Sequence, residues 1–232
     1  MNTAANELVE GLVHHRAGRV GQAETLYRQL IAREPDNADA NHLLGMLAHG
    51  ANRHEEAVRR IARAVQLRRN VAPFHNNLGV VLQAMGRHYE AALCYTEALA
   101  ISPGYVEAHI NFGNALQSLG LPEEAVLHYR RAIELKPDCA EAHNNLGNLR
   151  LAEGDRRAAE ACFRAALAIR PAYAEAWLNL GGALKGEDRL EEAATCCQQA
   201  LFLAPHLAEA WSNLAAIKKA QVRFREAEAS SQ

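Results

Sequence analysis

The sequence predicts an all-α chain in which about six and a half helix-turn-helix units stack into a right-handed superhelical solenoid. Three observations carry that prediction. Alanine supplies 46 of the 232 residues while Val, Ile and Thr are scarce, so intrinsic propensity leans to helix throughout. Glycine recurs every 34 residues at Gly11, Gly45, Gly79, Gly113, Gly147 and Gly181, with Ala215 at the next step. An alanine stands twelve residues beyond each: Ala23, Ala57, Ala91, Ala125, Ala159, Ala193 and Ala227. A fixed period of this length marks a repeat architecture rather than one globular core.

The units follow in order. The first, residues 4–37, adds Tyr27 as a bulky filler and closes on Pro35. The second, 38–71, has Ile61 in the filler place and Arg69 where other units have proline, with Pro73 displaced into the next helix start. The third, 72–105, carries Tyr95 and Pro103. In the fourth, 106–139, helix A runs to about Leu119, Gly120 permits the helix-ending turn, and Pro122 enters the first turn of helix B, where it forfeits no hydrogen bond. Helix B then runs to about Leu135 and Pro137 stops it. Gly113 and Ala125 lack bulk where these helices cross, and Phe112, Leu116, Tyr129 and Ile133 fill the surrounding space. Enlarging Ala125 to Leu is therefore expected to overpack the crossing by ~1–3 kcal/mol.

The fifth unit, 140–173, has Phe163 and Pro171; the sixth, 174–207, has Pro205 and places Asp188 where a turn glycine belongs. The seventh, 208–232, is partial: Trp211 to Ala220 forms helix A, and helix B starts near Phe224. The sequence ends at Gln232 before that helix could cover its apolar side, which points to an unfinished edge or a longer parent. One hairpin cannot bury its own apolar face, so neighbouring units stack, with the A helices lining the concave side.

This pattern resembles the tetratricopeptide repeat over almost the whole chain, and the resemblance implies a single repeat domain across residues 1–232 that binds protein partners. Counted from the first residue of each unit, positions 2, 5, 6, 9 and 12 share one face of helix A, and that face excludes the crossing glycine at position 8. Position 6 reads Asn77, Asn111, Asn145, Asn179 and Asn213 in five consecutive units. Asn76 and Asn144 stand beside them at position 5, and Asn114 and Asn148 at position 9. A carboxamide has one acceptor and two donors, so a column of them can pair with the C=O and N–H of an extended peptide without reading its side chains. The column and the NNLG phrases beginning at Asn76 and Asn144 are similar to the superhelical domain of O-linked N-acetylglucosamine transferases, where the resemblance implies a grip on substrate peptide backbone. Local hydrogen bonds between helices are the competing use of the same amides.

Three roles are thus expected: a scaffold holding an extended partner segment, the recognition region of a longer glycosyltransferase whose catalytic domain lies outside the sequence, or a structural solenoid self-associating end to end through Trp211, Leu214 and Phe224. Position 2 carries Asp39, Glu107, Glu141, Glu175 and Glu209, which either select basic peptides or complement the helix dipole. No Lys or Arg occupies positions 2, 5, 6 or 9, which argues against a clamp for a partner's terminal carboxylate.

A net charge of −2 gives no electrostatic footprint for nucleic acid, and the arginines Arg59, Arg60, Arg63, Arg68 and Arg69 read as a solvated convex surface. No leader and no apolar run near the ~20 residues of a membrane span is legible, and five cysteines without CxxC spacing suit free thiols, so a cytoplasmic protein is expected. Cys94, His128, Cys162 and Cys196 share one helix B position, yet stacked helices ~8–10 Å apart cannot bring them to one ion. His75, His109 and His143 read as flat rings between repeats. Neither a cofactor site nor a catalytic constellation is expected.

Overall fold

The structure is a computed structural model that describes the backbone of residues 3–230 and the side chains of residues 4–222. Among the described residues there are thirteen helices and no strand. They fall into two compact units, Met1–Leu121 and Pro122–Gln232. The first contains α1 (Thr3–Arg16), α2 (Val20–Arg33), α3 (Ala38–Gly50), α4 (His54–Leu67), α5 (Ala72–Ala84), α6 (His88–Ile101) and α7 (Val106–Ser118). The second contains α8 (Pro122–Leu135), α9 (Ala140–Ala152), α10 (Arg156–Ile169), α11 (Ala174–Lys185), α12 (Leu190–Leu203) and α13 (Ala208–Ser230). Within each unit, every helix packs on the next in sequence.

The crossing glycines set the closest approach inside each hairpin. A Cβ added at Gly79 would lie 2.6 Å from the Tyr95 ring, and one at Gly147 would lie 2.6 Å from Phe163, so the missing side chain is the space the ring occupies. Tyr27, Tyr95, Tyr129 and Phe163 are all fully buried, as are Ala23, Ala57, Ala91, Ala125, Ala159 and Ala193. The filler in the sixth repeat is a thiol: Cys197 meets Gly181, and Cys196 is buried beside it in the same core.

In the first six repeats position 15 turns the chain into the left-handed region after the A helix. Gly18, Gly86, Gly120 and Gly154 have φ of 71°, 74°, 76° and 85°, and Asn52 and Asp188 adopt 58° and 59° at the equivalent places. Glycine enters this region without the Cβ penalty that Asn and Asp still carry in part. Asp188→Gly is accordingly expected to stabilise the second unit by up to about 1 kcal/mol, read from the midpoint of chemical denaturation.

The same position explains a departure from expectation in the last repeat. A turn before a helix starting near Phe224 does not occur; α13 runs unbroken from Ala208 to Ser230. Position 15 there is Val222, a β-branched residue for which positive φ is severely disfavoured, so nothing in the sequence ends the helix. Of the residues expected to form a self-associating edge, Leu214 is only 6% exposed and packs with Ile217 into the core, whereas Trp211 is 57% exposed. The Phe224 side chain lies outside the described residues. Among the described residues no helix is long and apolar enough to cross a membrane.

Candidate functional site

The A helices place the position-6 asparagines on one side of each unit, all of them half-buried: Asn77 on α5 and Asn111 on α7 in the first, Asn145 on α9, Asn179 on α11 and Asn213 on α13 in the second. Asn76 and Asn144 at position 5 are 4% and 2% exposed, so they lie beneath this face rather than on it. Asn114 and Asn148 at position 9 are half-buried on α7 and α9.

A regular bond joins the two positions. Asn111 Nδ2 donates to Asn76 Oδ1 at 3.0 Å, and Asn179 Nδ2 donates to Asn144 Oδ1 at 3.0 Å, so position 6 of one repeat bonds position 5 of the repeat before it. Asn77 Nδ2 makes the same link at 2.9 Å to Nε2 of His42, the position-5 residue of the second repeat. Laterally, Asn76 Nδ2 donates to Asn77 Oδ1 at 3.1 Å and Asn144 Nδ2 to Asn145 Oδ1 at 3.4 Å. The Asn145 side chain is also hydrogen-bonded with the Tyr129 hydroxyl. Before Asn213, position 5 is the apolar Leu178, which can accept nothing.

These links leave Asn77, Asn111 and Asn179 with spare capacity. A carboxamide nitrogen has two hydrogens, so one N–H remains on Asn77, Asn111 and Asn179 after the inter-repeat bond. On Asn111 and Asn179 the Oδ1 acceptor also has no partner among the described residues. His42 must be neutral to accept from Asn77. Burial holds its imidazole down at about 4, opposed by the carboxylate of Asp39, and the ring lies 4.5 Å from that of Phe74.

Position 4 fixes the loop at the entry to each A helix. His75 Nε2 bonds the Arg69 carbonyl at 2.8 Å, His109 that of Pro103 at 3.0 Å and His143 that of Pro137 at 3.0 Å. Trp177 and Trp211 donate to the Pro171 and Pro205 carbonyls, each at 2.9 Å, and Asn41 Nδ2 donates to that of Pro35 at 3.0 Å. An indole nitrogen only donates and a carbonyl only accepts, so the equivalent histidines carry their proton on Nε2. The histidines are therefore loop clasps. Their signal in the sequence is that every residue at this position from Asn41 to Trp211 has a side-chain N–H.

Position 2 is partly neutralised. Arg68 pairs with Asp39 at 2.6 Å and lies over the Phe74 ring; Arg170 pairs with Glu141 at 2.7 Å and lies over the Tyr173 ring. The Arg170 guanidinium holds the Glu141 carboxyl below the usual range. On the B helices, burial raises the Cys94 and Cys196 thiols to about 11, which disfavours the thiolate that metals and electrophiles require. Among the described residues no group of three or more His, Cys, Asp or Glu is arranged to hold a metal ion.

Residues 101–232 match the family described as the Cilia and flagella-associated protein 70 C-terminal domain, and residues 14–76 and 72–105 each match a tetratricopeptide repeat family. No curated protein sequence matches the chain. Among solved structures, PilF of Pseudomonas aeruginosa is 20% identical with a TM-score of 0.81, covering 92% of this chain and 97% of its own. PilW, described as a widely conserved type IV pilus biogenesis factor, is 18% identical with a TM-score of 0.82, covering 92% of this chain and 99% of its own. YrrB, described as a tetratricopeptide-repeat protein with an unusual peptide-binding site, is 22% identical with a TM-score of 0.61, covering 80% and 96%. At these identities the likeness establishes the repeat fold.

Proposed function

This chain belongs to the family of the Cilia and flagella-associated protein 70 C-terminal domain, a tetratricopeptide-repeat family, and on that premise we propose that it is a scaffold whose A-helix asparagines hold an extended segment of a partner protein. Asn77 and Asn111 do this in the first unit, and Asn145, Asn179 and Asn213 in the second, with Asn114 and Asn148 as further contacts. The observation that carries the reading is that buried position-5 residues orient the position-6 amides while leaving Asn111 and Asn179 one donor and one acceptor each. That pair is the complement of a peptide unit. Asn76 and Asn144 act as positioning residues, because burial withholds them from the ligand. YrrB, with its described peptide-binding site, supports peptide recognition by this kind of fold.

Each hydrogen bond contributes about 0.5–1.5 kcal/mol net, and ordering the peptide costs ~2–5 kcal/mol, so affinity through the amides alone is weak. A 12-residue peptide selected from a random library on the full chain provides the test. Asn213 has no side-chain partner among the described residues, so Asn213→Ala is expected to weaken binding about threefold to tenfold with stability unchanged. Asn179→Ala weakens binding similarly and also costs about 1–3 kcal/mol, because it strands the buried Asn144 oxygen. Unaltered affinity in both variants would overturn the proposal.

A second reading places these repeats in substrate recognition by a longer glycosyltransferase; the NNLG phrases beginning at Asn76 and Asn144 and the position-6 column support it. Self-association through the last helix rests on the exposed Trp211 ring. A monomer mass independent of concentration in light scattering removes it.

A further inference from the structure

In the first unit the asparagine face opens into a pocket of about 350 Å³, lined by His49 of α3, Val80 and Gln83 of α5, His88 and Tyr95 of α6, and Asn111 of α7. Two of its amides are locked by partners beneath them. The fully buried Tyr95 donates its hydroxyl to Gln83 Oε1 at 3.1 Å, which turns Gln83 Nε2 away from that bond. Asn111 gives Nδ2 to the buried Asn76, which turns its Oδ1 the other way. Neither Gln83 Nε2 nor Asn111 Oδ1 has a partner among the described residues. Gln83 and Asn111 thus line the pocket, beside the apolar Val80, with one end of each amide fixed and a donor on Gln83 and an acceptor on Asn111 left over. His49 Nδ1 is already engaged by His54 Nδ1 at 3.2 Å, and His88 Nδ1 is buried without a hydrogen-bond partner among the described residues. No carboxylate, lysine or arginine is among the lining residues.

We propose that this pocket is a side-chain specificity subsite of the groove and that it takes a primary carboxamide, the side chain of a glutamine or asparagine in the bound partner. The inference rests on the peptide-binding reading above and adds a side-chain choice to a backbone grip. A carboxamide carbonyl accepts from Gln83 Nε2 while its N–H donates to Asn111 Oδ1. A carboxylate has no proton for Asn111 and would leave water for a site without a fixed cation, so it is rejected. An aliphatic side chain fills the space but leaves both amides unpaired.

The test uses the full chain at pH 8, where free imidazole is neutral, and the 12-residue random library. Enriched peptides are expected to share a Gln or Asn at one position. In synthetic copies, replacing that residue by Glu lowers affinity at least tenfold and by Ala about fivefold. Gln83→Glu retains the acceptor for Tyr95 and replaces the donor with a charged acceptor that repels the carboxamide carbonyl, so it brings the Gln peptide down to the Ala peptide's affinity or below it. Equal binding of Gln, Glu and Ala peptides overturns the subsite while sparing the groove, as does a Gln preference that survives Gln83→Glu. A library that yields no binder removes the peptide groove itself, and the subsite with it.

Discussion

Phe163→Ala is expected to destabilise the second unit by about 3–5 kcal/mol, the range for emptying a buried aromatic site. The ring is fully buried where α9 and α10 cross, and Gly147 leaves it the space in which a Cβ would stand 2.6 Å away. With the ring gone, the crossing keeps an empty space, because the glycine offers no side chain to fill it. The partner substitution gives the diagnostic. Gly147→Ala alone overpacks the crossing and costs about 1–3 kcal/mol. In the Phe163→Ala background the added methyl enters empty space, so the double variant is expected to be less damaged than the sum of the singles. Chemical denaturation of the four proteins reads the coupling; strict additivity would mean that ring and glycine do not share this space.

The second large effect is on acid stability. The neutral His42 imidazole is held at about 4 by burial, below the 6.5 of an exposed histidine, so between these values the unfolded chain binds the proton that the folded chain refuses. Stability from this group is therefore complete above about pH 6.5 and is lost as pH falls toward 4, by roughly 3 kcal/mol in total. Asp39 acts on the ring and moderates the shift, and is itself paired with Arg68; Phe74 lies 4.5 Å from the ring and Asn77 bonds its Nε2. Protonation would also take away the lone pair on Nε2 that Asn77 uses. His42→Asn installs the residue found at this position in Asn76 and Asn144, which accepts from position 6 without titrating in this range. Its stability is expected to stay flatter than the parent's between pH 6.5 and 4; parallel profiles would assign the acid sensitivity elsewhere.

Much of the fold was legible because its determinants are local or strictly periodic. The pairing of crossing glycine and filler ring shows in the 34-residue spacing, and the left-handed turn at position 15 shows in Gly120 and its equivalents. The continuous α13 escaped because the period was extended into the last repeat by its alanines, when the residue that decides the turn is Val222. The position-6 column could be read from spacing alone. That its amides are tied to position 5 could not, since the bonded atoms belong to residues 35 apart in sequence and meet only once the A helices lie side by side. The acidic column was ambiguous for the same reason: Arg68 and Arg170 reach Asp39 and Glu141 from the far ends of B helices.

The central claim is that oriented asparagine amides hold a partner's extended backbone. Selective ¹⁵N labelling of asparagine, followed by titration with a library-selected peptide, reports each side-chain amide separately. The account predicts that the Nδ2 resonances of Asn111, Asn179 or Asn213 shift with peptide concentration and their hydrogens exchange more slowly in the complex. A peptide that binds with full affinity while every asparagine side-chain amide stays unmoved would contradict it.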